Sequence, residues 1–513
     1  MLSPLVWILI FIVTLYFYSR QKKIRSLPPG PQPWPLLGNY VQLWIAQAKG
    51  VALVEWYEEC KKIYGNVFTV WVGPMPVVMV VDYDTIQDAF VRNGDAHTGR
   101  QKAFVFTGYR DYMGLIWTDG PGWQEQRRFS LRVLRDFGFG RNIMQQRILE
   151  EMFYQFEILD HKIETSPGHK LEFEPAPFLD LLIGSVINKI LVGYRYDESN
   201  IEELKKLKGG MDKQFDALTP VDMVVFNEFT YKLPGFKQRW DVVADPQVEI
   251  IKHLLDLIRK RRAAIKNGTH VIHPQEGAND YIDAYLIEMQ RREDVGEHMG
   301  YFSDKWMAAN LLDLYVGGTE TSISSLLWTF LYMLNKPEIG EKLRAEVMKT
   351  TGGNRHVEIT DKAAMPYSNA VLTEILRISN ILTFNILHET TTDTMVGDYM
   401  IPKGTVITPQ VSVVLRDQGL FSNPFEFDPD RYLDPKIGKQ LEKKVIPFGL
   451  GKRACLGESL ARAEIFLFIT NFVSRFKFSP LLDQPTPKPE AVSLSTNMNR
   501  TKPYKMTLEK FVH

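Results

Sequence analysis

The sequence predicts a mainly α-helical fold with a minor β part, and three observations favour this fold class. Apolar residues recur at helical spacing in long segments through most of the chain. Short runs that are typical of strands are few. Strand and helix patterns do not alternate regularly, which disfavours a parallel sheet. With 513 residues, 45% of them apolar, the chain is long enough to bury a large core.

The chain begins with an apolar segment. Residues 2–19 carry no charge, and a cluster of basic residues follows at once. A segment of this length is near the short end for a membrane-spanning helix, and the basic residues favour the cytosolic side. We therefore predict an uncleaved transmembrane anchor over residues 1–19, with a cleaved secretory signal as the alternative. Basic and proline-rich residues 20–38 predict a stiff hinge, followed by one catalytic domain at 39–513.

Helices are expected over most of that domain, and strands mainly at its edges. The helical segments predicted from periodicity are 47–63, 83–93, 122–135, 142–165, 178–191, 200–217, 245–266, 279–292, 303–334, 336–350, 365–379, 412–417 and the segment after Cys455 to about residue 474. The strands are predicted at 68–72, at 76–81, between 383 and 408, and within the tail 480–511.

Cys455, one of two cysteines in the chain, stands in the most informative segment. It follows a loop that contains Gly449 and Gly451, and an apolar helical pattern comes after it. Glycines let the backbone approach the sulfur closely, and the start of a helix adds a positive dipole end, so both features favour a thiolate. One thiolate beside an aromatic residue, Phe448, and a cation, Arg453, is typical of haem ligation. A buried structural cysteine is the alternative.

The pattern Phe-x-x-Gly-x-Arg-x-Cys-x-Gly, from Phe448 to Gly457, resembles the haem-binding loop of the cytochrome P450 family. The stretch 134–141 resembles the animal microsomal branch that handles xenobiotics and fatty acids. The resemblance extends from the hinge to the tail. It implies the cytochrome P450 fold and a haem b whose iron takes Cys455 as axial ligand, with Phe448, Gly449 and Arg453 beside it.

The predicted helix 303–334 carries Gly317 and Gly318 at its centre. Glycine is a poor helix former, so this position indicates either a local groove or close packing against another helix. An acid and a hydroxyl, Glu320 and Thr321, follow. The segment is similar to the family's Ala/Gly-Gly-x-Asp/Glu-Thr pattern, which implies that Glu320 and Thr321 deliver protons in catalysis.

Haem propionates need cations, and several candidates are available. Trp123 and Arg127 lie four residues apart, hence on one face of a helix, and match the family's Trp-x-x-x-Arg. Arg453 is a second candidate. The resemblance implies that Arg100 and His388 also bind the cofactor, whereas residues of an ordinary surface loop are the alternative for these two.

Glu374 and Arg377, three residues apart on a helix, share one face. Their neighbours are apolar, so we expect the pair to be buried, and a buried pair needs further partners. Arg431 matches the third member of the family's structural clamp. We therefore assign Glu374, Arg377 and Arg431 a role in the fold.

The family resemblance also implies a substrate pocket that is mostly apolar. Its candidate residues are Phe104, Phe106, Phe215, Asn310, Asp313, Leu314, Gly317, Ile381, Leu382, Phe384 and Met498. Any of these residues is also suited to a plain core. Asp313 is the exception, because its carboxylate is expected either to meet a polar group of the substrate or to bond within its own helix.

These features together predict a membrane-anchored haem-thiolate monooxygenase that inserts one oxygen atom of O2 into a lipophilic xenobiotic, fatty acid or steroid. No dinucleotide or flavin fingerprint occurs, so electrons should come from NADPH through the flavin of a partner reductase, with cytochrome b5 as a further partner. The chain should face the cytosol from the endoplasmic reticulum membrane. Basic and acidic residues number 61 each, which gives no indication of nucleic-acid binding. The alternatives are a haem-thiolate isomerase or dehydratase of peroxides, and a non-catalytic haem protein.

Overall fold

The computed structural model describes residues 4–139, 142–219, 221–272, 277–492 and 498–511. The α-helices of these residues are α1 Pro4–Arg25, α2 Tyr40–Ala48, α3 Leu53–Tyr64, α4 Tyr83–Ile86, α5 Phe104–Thr107, α6 Gly120–Leu134, α7 Asn142–Thr165, α8 Pro175–Leu191, α9 Ile201–Ala217, α10 Asp222–Val225, α11 Phe236–Val243, α12 Asp245–Lys266, α13 Tyr281–Asp294, α14 Asp304–Gly318, α15 Glu320–Asn335, α16 Pro337–Thr351, α17 Pro366–Ser379, α18 Val411–Val414, α19 Gly438–Lys444 and α20 Glu458–Arg475. The strands are β1 Val67–Val72, β2 Met75–Val80, β3 Gly99–Arg100, β4 Lys170–Phe173, β5 His388–Glu389, β6 Thr394–Val396, β7 Tyr399–Ile401, β8 Val406–Pro409, β9 Phe476–Ser479 and β10 Met506–Lys510. The prediction of a mainly α-helical chain with a minor β part is confirmed.

The chain forms two compact units. The smaller unit comprises residues 4–101, Thr383–Val414 and Gly449–Ala454. It contains a five-stranded sheet in the order β1-β2-β8-β5-β3 and the hairpin β6-β7. Strands β2 and β8 run parallel, and every other neighbouring pair of the large sheet is antiparallel.

The larger unit comprises Lys102–Leu382, Leu415–Phe448 and residues 455–511. It holds most of the helices and a three-stranded sheet in the order β4-β10-β9. In α20 every residue from Glu464 to Val473 is buried, and α15 is buried along most of its length. A helix that is apolar on all sides belongs to the interior, so these two helices lie at the centre of this core.

Capping residues account for several helix ends. The Ser303 side chain accepts a hydrogen bond from the Trp306 backbone N–H at 3.2 Å at the start of α14. Helix α16 begins at Pro337 and ends before Gly352, whose φ of 67° is the left-handed conformation that glycine adopts readily. The predicted ends of most long helices lie within about three residues of the observed ones, as local signals allow.

The predicted helix 303–334 is the main exception, because it is divided into α14 and α15 at Thr319. Gly317 and Gly318 weaken the helix just before this point. The Thr319 hydroxyl donates to the Tyr315 carbonyl at 2.7 Å, and such hydroxyl bonds to a carbonyl one turn earlier bend helices.

At the N terminus, α1 covers all of the predicted anchor except residues 1–3, which lie outside the described residues. Its last turn carries Lys22, Lys23 and Arg25. Among the residues that the structure describes, none of the helices combines the length and the apolar character needed to cross a bilayer.

Candidate active site

The loop before Cys455 is shaped by its glycines. Gly449 and Gly451 both have positive φ, 70° and 74°. Residues with a Cβ rarely adopt this backbone conformation. A Cβ on Gly451 would lie 1.9 Å from the Phe90 carbonyl oxygen, so only glycine fits there. The Cys455 backbone N–H donates to the Phe448 carbonyl at 2.8 Å. The predicted tight loop is thus confirmed.

The Cys455 sulfur lies at the start of α20. The backbone N–H groups of Gly457 and Glu458 donate hydrogen bonds to it, and the charge of Arg127 lies nearby. Cys455 is nevertheless exposed, so its sulfur is surrounded by protein but open on one side.

The backbone amides and the nearby cation favour a thiolate, as predicted, but burial acts against them. Burial raises the pKa of the Cys455 thiol, and the two amides together with Arg127 offset only part of that rise. Desolvation disfavours the charged form of any thiol. Metal coordination deprotonates thiols, so a haem iron bound to this sulfur would favour the thiolate.

The chemistry of these residues fits haem. A sulfur with two backbone donors and one open side is the ligand set of a haem thiolate. In the same unit, a Cβ on Gly317 would meet nothing within 4 Å, so α14 leaves room at its glycine. The Arg462 guanidinium lies 5.1 Å from the centre of the Phe448 ring. This contact holds the ring of Phe448, which precedes Cys455 by seven residues.

Trp123 and Arg127 share one face of α6, as predicted. The Arg127 guanidinium lies 5.7 Å from the centre of the Trp123 ring. The Trp123 indole N–H donates to the Leu115 carbonyl at 3.1 Å. Burial lowers the pKa of Arg127, although the charge of Cys455 acts in the opposite direction. A half-buried guanidinium that remains charged is suited to a carboxylate such as a propionate.

In the smaller unit, Arg100 and His388 are direct neighbours across β3 and β5. Both are buried, with 6% of their surfaces exposed, so the alternative of an ordinary surface loop is wrong. Arg453 donates from Nε and Nη2 to the Thr98 carbonyl at 2.9 and 2.6 Å. The segment 97–100 therefore gathers three basic side chains, and their binding to propionates stays a prediction.

His388 is held in one tautomer. Its Nδ1 lies 2.7 Å from the His97 carbonyl oxygen, so this nitrogen carries the proton. Burial and the charge of Arg100 lower the pKa of His388 well below its ordinary value. The ring is neutral at pH 7 in this environment, and a nearby carboxylate would favour its charged form.

The two glycines at the end of α14 were predicted to indicate either a local groove or close helix packing, and each glycine fits one of these explanations. A Cβ on Gly318 would lie 2.8 Å from the Ile187 side chain of α8, so Gly318 permits close helix packing. Gly317 faces open space instead. The Thr321 hydroxyl donates to the Gly317 carbonyl at 2.8 Å, which places it beside this open position.

Glu320 makes ion pairs with residues far away in sequence. Its carboxylate lies 2.9 Å from Lys208 Nζ and 2.8 Å from Arg500 Nε. Both cations also pair with Asp212. Burial acts to lower the pKa of Lys208, but Glu320 and the neighbouring aspartates raise it above its ordinary value. The sequence did not reveal these partners, which hold Glu320 within a network of ion pairs.

The predicted clamp is present in full. Glu374 and Arg377 are both fully buried and are joined by hydrogen bonds of 2.8 and 2.7 Å. Arg431 Nε reaches Glu374 at 3.2 Å. The Tyr432 hydroxyl also donates to Glu374, at 2.7 Å. Tyr432 directly follows Arg431 in the chain, but no role was predicted for it from the sequence.

The predicted pocket residues fall into several groups. Leu382 and Met498 form a β-bridge, and the Asn499 N–H donates to the Ile381 carbonyl at 2.7 Å. Phe215 lies under Arg500, 5.6 Å from its guanidinium. Leu314 packs half-buried against the larger unit's core, whereas Phe384 belongs to the smaller unit.

The remaining four candidates are buried. The Phe106 ring stacks on Trp117 with 3.9 Å between ring centres, and Phe104 packs against Trp240 at 5.2 Å. The Asn310 side chain donates to Gln126 at 2.7 Å. Asp313 does not bond within its own helix: it pairs with Arg110, 2.6 Å away. The expected bond within the helix is therefore replaced by a contact with a loop, and a contact with a substrate stays a prediction.

Glu464 is a buried acid that the sequence analysis overlooked. It stands nine residues after Cys455 in α20. Its position as a lone carboxylate inside an apolar run could have indicated a buried acid. Ser322 donates to its Oε2 at 3.1 Å. Burial raises the pKa of Glu464 to about 8, so the side chain is protonated at pH 7.

We expect Glu464→Gln to change how stability depends on pH. An unfolded glutamate has a pKa of about 4.3, so between that pH and about 8 the folded chain binds a proton that the unfolded chain lacks. The free energy of unfolding then falls as pH rises through this window. From pH 5.5 to 7.5 the wild type should lose about 3 kcal/mol more than the variant, at about 1.4 kcal/mol per unit. Urea unfolding at both pH values measures this, with Glu458→Gln as control; equal slopes for wild type and Glu464→Gln would contradict it.

Comparisons with known proteins show the family of the chain. The family model for cytochrome P450 matches residues 28–508. The chain is 32% identical to probable cytochrome P450 cyp-35D1 of Caenorhabditis elegans, over 94% of this chain and 95% of the relative. It is 33% identical to human cytochrome P450 2A13, over 91% and 90%, and 31% identical to mouse cytochrome P450 2B19, over 91% of both chains. A match over nearly the whole length, together with the open Cys455 sulfur at the start of α20, shows that the chain belongs to the cytochrome P450 family.

Proposed function

We propose that this cytochrome P450 inserts one oxygen atom of O2 into a lipophilic organic substrate, with a xenobiotic, a fatty acid or a steroid as the class. Its family makes the chain a monooxygenase with haem b as cofactor. The observation that carries the proposal is the Cys455 sulfur, which receives two backbone hydrogen bonds and is open on one side. When bound, the haem supplies the activation of O2.

The residues that would hold the haem have separate tasks. Cys455 supplies the sulfur ligand, and its amide donors from α20 moderate the negative charge on the sulfur. Trp123 and Arg127 in the larger unit, and Arg100, His388 and Arg453 in the smaller one, are the groups that we assign to the propionates. The first pair is supported by its stacked, half-buried geometry.

We assign proton delivery to Thr321 and Glu320. The Thr321 hydroxyl can accept a hydrogen bond with its oxygen and donate one with its own hydrogen. Glu320 stands next to it in sequence and is held by Lys208 and Arg500. The two ion pairs fix the carboxylate at the start of α15, and its match to the acid of the family's pattern supports the assignment.

Replacing Thr321 by Ala should leave haem bound but uncouple turnover. The variant removes the hydroxyl beside Gly317, so electrons are diverted to hydrogen peroxide. A positioned acid or base contributes roughly 100-fold or more, and we expect product formed per NADPH to fall by at least about tenfold. Oxygen, peroxide and product assays measure this ratio. Thr321→Ser keeps the hydroxyl and serves as control; unchanged coupling in Thr321→Ala would remove the assignment.

The overall proposal is tested with the full haem-loaded chain, a cytochrome P450 reductase, NADPH and ¹⁸O2. We expect NADPH consumption that depends on substrate, and one labelled oxygen atom in the product. Turnover of a hydroperoxide without NADPH would favour an isomerase or dehydratase instead. Binding of ligands without any NADPH consumption would favour a non-catalytic haem protein.

We also propose that the protein acts at the endoplasmic reticulum membrane, with the reductase as its partner and cytochrome b5 as a further one. Support comes from α1, whose described side chains include Phe11, Leu15 and Phe17, all exposed, and whose last turn is basic. Exposed apolar side chains beside basic ones favour a membrane surface or interior. Carbonate extraction of cell membranes tests this proposal, and recovery of the full chain in the wash would oppose it.

A further inference from the structure

Asp313 and Arg110 form a buried ion pair that the proposed mechanism does not use. Their N–O distance is 2.6 Å, and their side chains are 4% and 2% exposed. The other carboxylate oxygen of Asp313 accepts backbone hydrogen bonds from Leu115 at 2.5 Å and Ile116 at 2.9 Å. Buried charges are costly unless every group has a partner, and here the partners come from one loop.

That loop, residues 104–118, is shaped around the Asp313 carboxylate. The Arg110 Nε–H donates to the Phe106 carbonyl at 2.7 Å. Gly114 has a φ of +117°, and a Cβ there would lie 2.5 Å from Asp313 Oδ2. The Thr118 hydroxyl donates a hydrogen bond to the Gly114 carbonyl and so closes the turn. The loop conformation therefore depends on a carboxylate at position 313 and on the lack of a side chain at position 114.

The position of Asp313 on α14 links the loop to the candidate active site. Asp313 and Gly317 are four residues apart, so they share one face of the helix, separated by about 6 Å along its axis. Gly317 opens onto free space on that face. The loop carries Phe106, which stacks on Trp117, and Phe104. An apolar segment is thus fastened about one helical turn from the open position.

We propose that Asp313 and Arg110 are positioning residues that latch the loop 104–118 onto α14 and thereby determine which substrates fit beside Gly317. The latch also neutralises a carboxylate that would otherwise stand on the apolar face of α14. This inference rests on the proposed function, because it concerns the substrate site of the same enzyme.

The experiment measures the size selectivity of the haem-loaded full chain with N-alkylimidazoles, whose nitrogen binds haem iron. The Kd values of N-methylimidazole and N-octylimidazole are read from the haem absorption spectrum. In Asp313→Asn we expect the ratio of the two Kd values to change by roughly tenfold, the size of effect that one pocket contact has on selectivity. The Kd of N-methylimidazole and the haem content should stay within about twofold of the wild type.

Two further variants keep the proposal falsifiable. Gly114→Ala leaves both charges in place but forces the loop away, so it should shift the ratio in the same way even where Asp313→Asn folds poorly. Asp283→Asn breaks a different buried pair, with Arg261 of α12, and should leave the ratio unchanged. An unchanged ratio in both loop variants, or an equal shift in Asp283→Asn, overturns the latch. Failure of the wild-type chain to bind haem would instead refute the proposed function.

Discussion

Replacing Cys455 by serine is expected to lower monooxygenase turnover by at least about a thousandfold, which corresponds to roughly 4 kcal/mol in the activation barrier. Serine retains the size of the side chain, but its oxygen does not donate electron density as a thiolate does. The amide donors of Gly457 and Glu458 would then face a neutral hydroxyl. Product formation with reductase and NADPH measures the loss. The absorption spectrum of the reduced carbon monoxide complex reports the ligand directly.

The other cysteine of the chain provides a matched control for this experiment. Cys60 lies in α3 with 4% of its surface exposed, and burial raises the pKa of its thiol to about 12. It is an inert, packed thiol, so Cys60→Ser should keep the thiolate spectrum and the turnover. A thiolate spectrum in Cys455→Ser, or its loss in Cys60→Ser, would show that the iron ligand has been assigned to the wrong residue.

Local spacing allowed much of this site to be predicted from the sequence. Trp123 and Arg127 are four residues apart, and Glu374 and Arg377 are three apart, so helical geometry alone places each pair on one face. Both pairs are in contact in the structure. The loop before Cys455 was predictable because glycine favours the positive φ that Gly449 and Gly451 have in the structure.

Contacts between distant segments could not be predicted in this way. Lys208 and Arg500 meet Glu320 although they are 112 and 180 residues away from it in the chain. No periodicity carries that information, because tertiary packing decides it. The partner of Asp313 was missed for the same reason. The effect of burial, which raises the pKa of Cys455, was also missed, because burial depends on every segment that surrounds the sulfur.

The clamp around Glu374 combines a local contact with a contact between distant segments, and it holds more positive than negative charges. One fully buried carboxylate meets two guanidiniums, those of Arg377 and Arg431. The excess donors are satisfied by backbone carbonyls: Arg377 donates to Leu415 and Pro424 at 2.9 and 2.7 Å. The clamp thereby ties α17 to the irregular segment that leads toward the cysteine loop.

Replacing Glu374 by alanine should destabilise the protein by about 3–5 kcal/mol, since it removes the fully buried carboxylate that two buried cations share. It also leaves the Tyr432 hydroxyl without its acceptor. We expect a lower midpoint of thermal unfolding and reduced haem content at expression temperature. The difference between the free energies of unfolding of variant and wild type, from urea titration, is the direct measurement.

Asp430→Asn tests whether the effect comes from burial of the charge. Asp430 stands one residue from Arg431 and pairs with Lys342 at 2.9 Å, but both side chains are about half exposed. Exposed pairs contribute less than about 1 kcal/mol, so this variant should behave almost as the wild type. Similar losses in both variants would mean that the segment is sensitive to any substitution. A loss below about 1 kcal/mol in Glu374→Ala would show that water reaches the two guanidiniums once the carboxylate is gone, and that the clamp does not hold the fold.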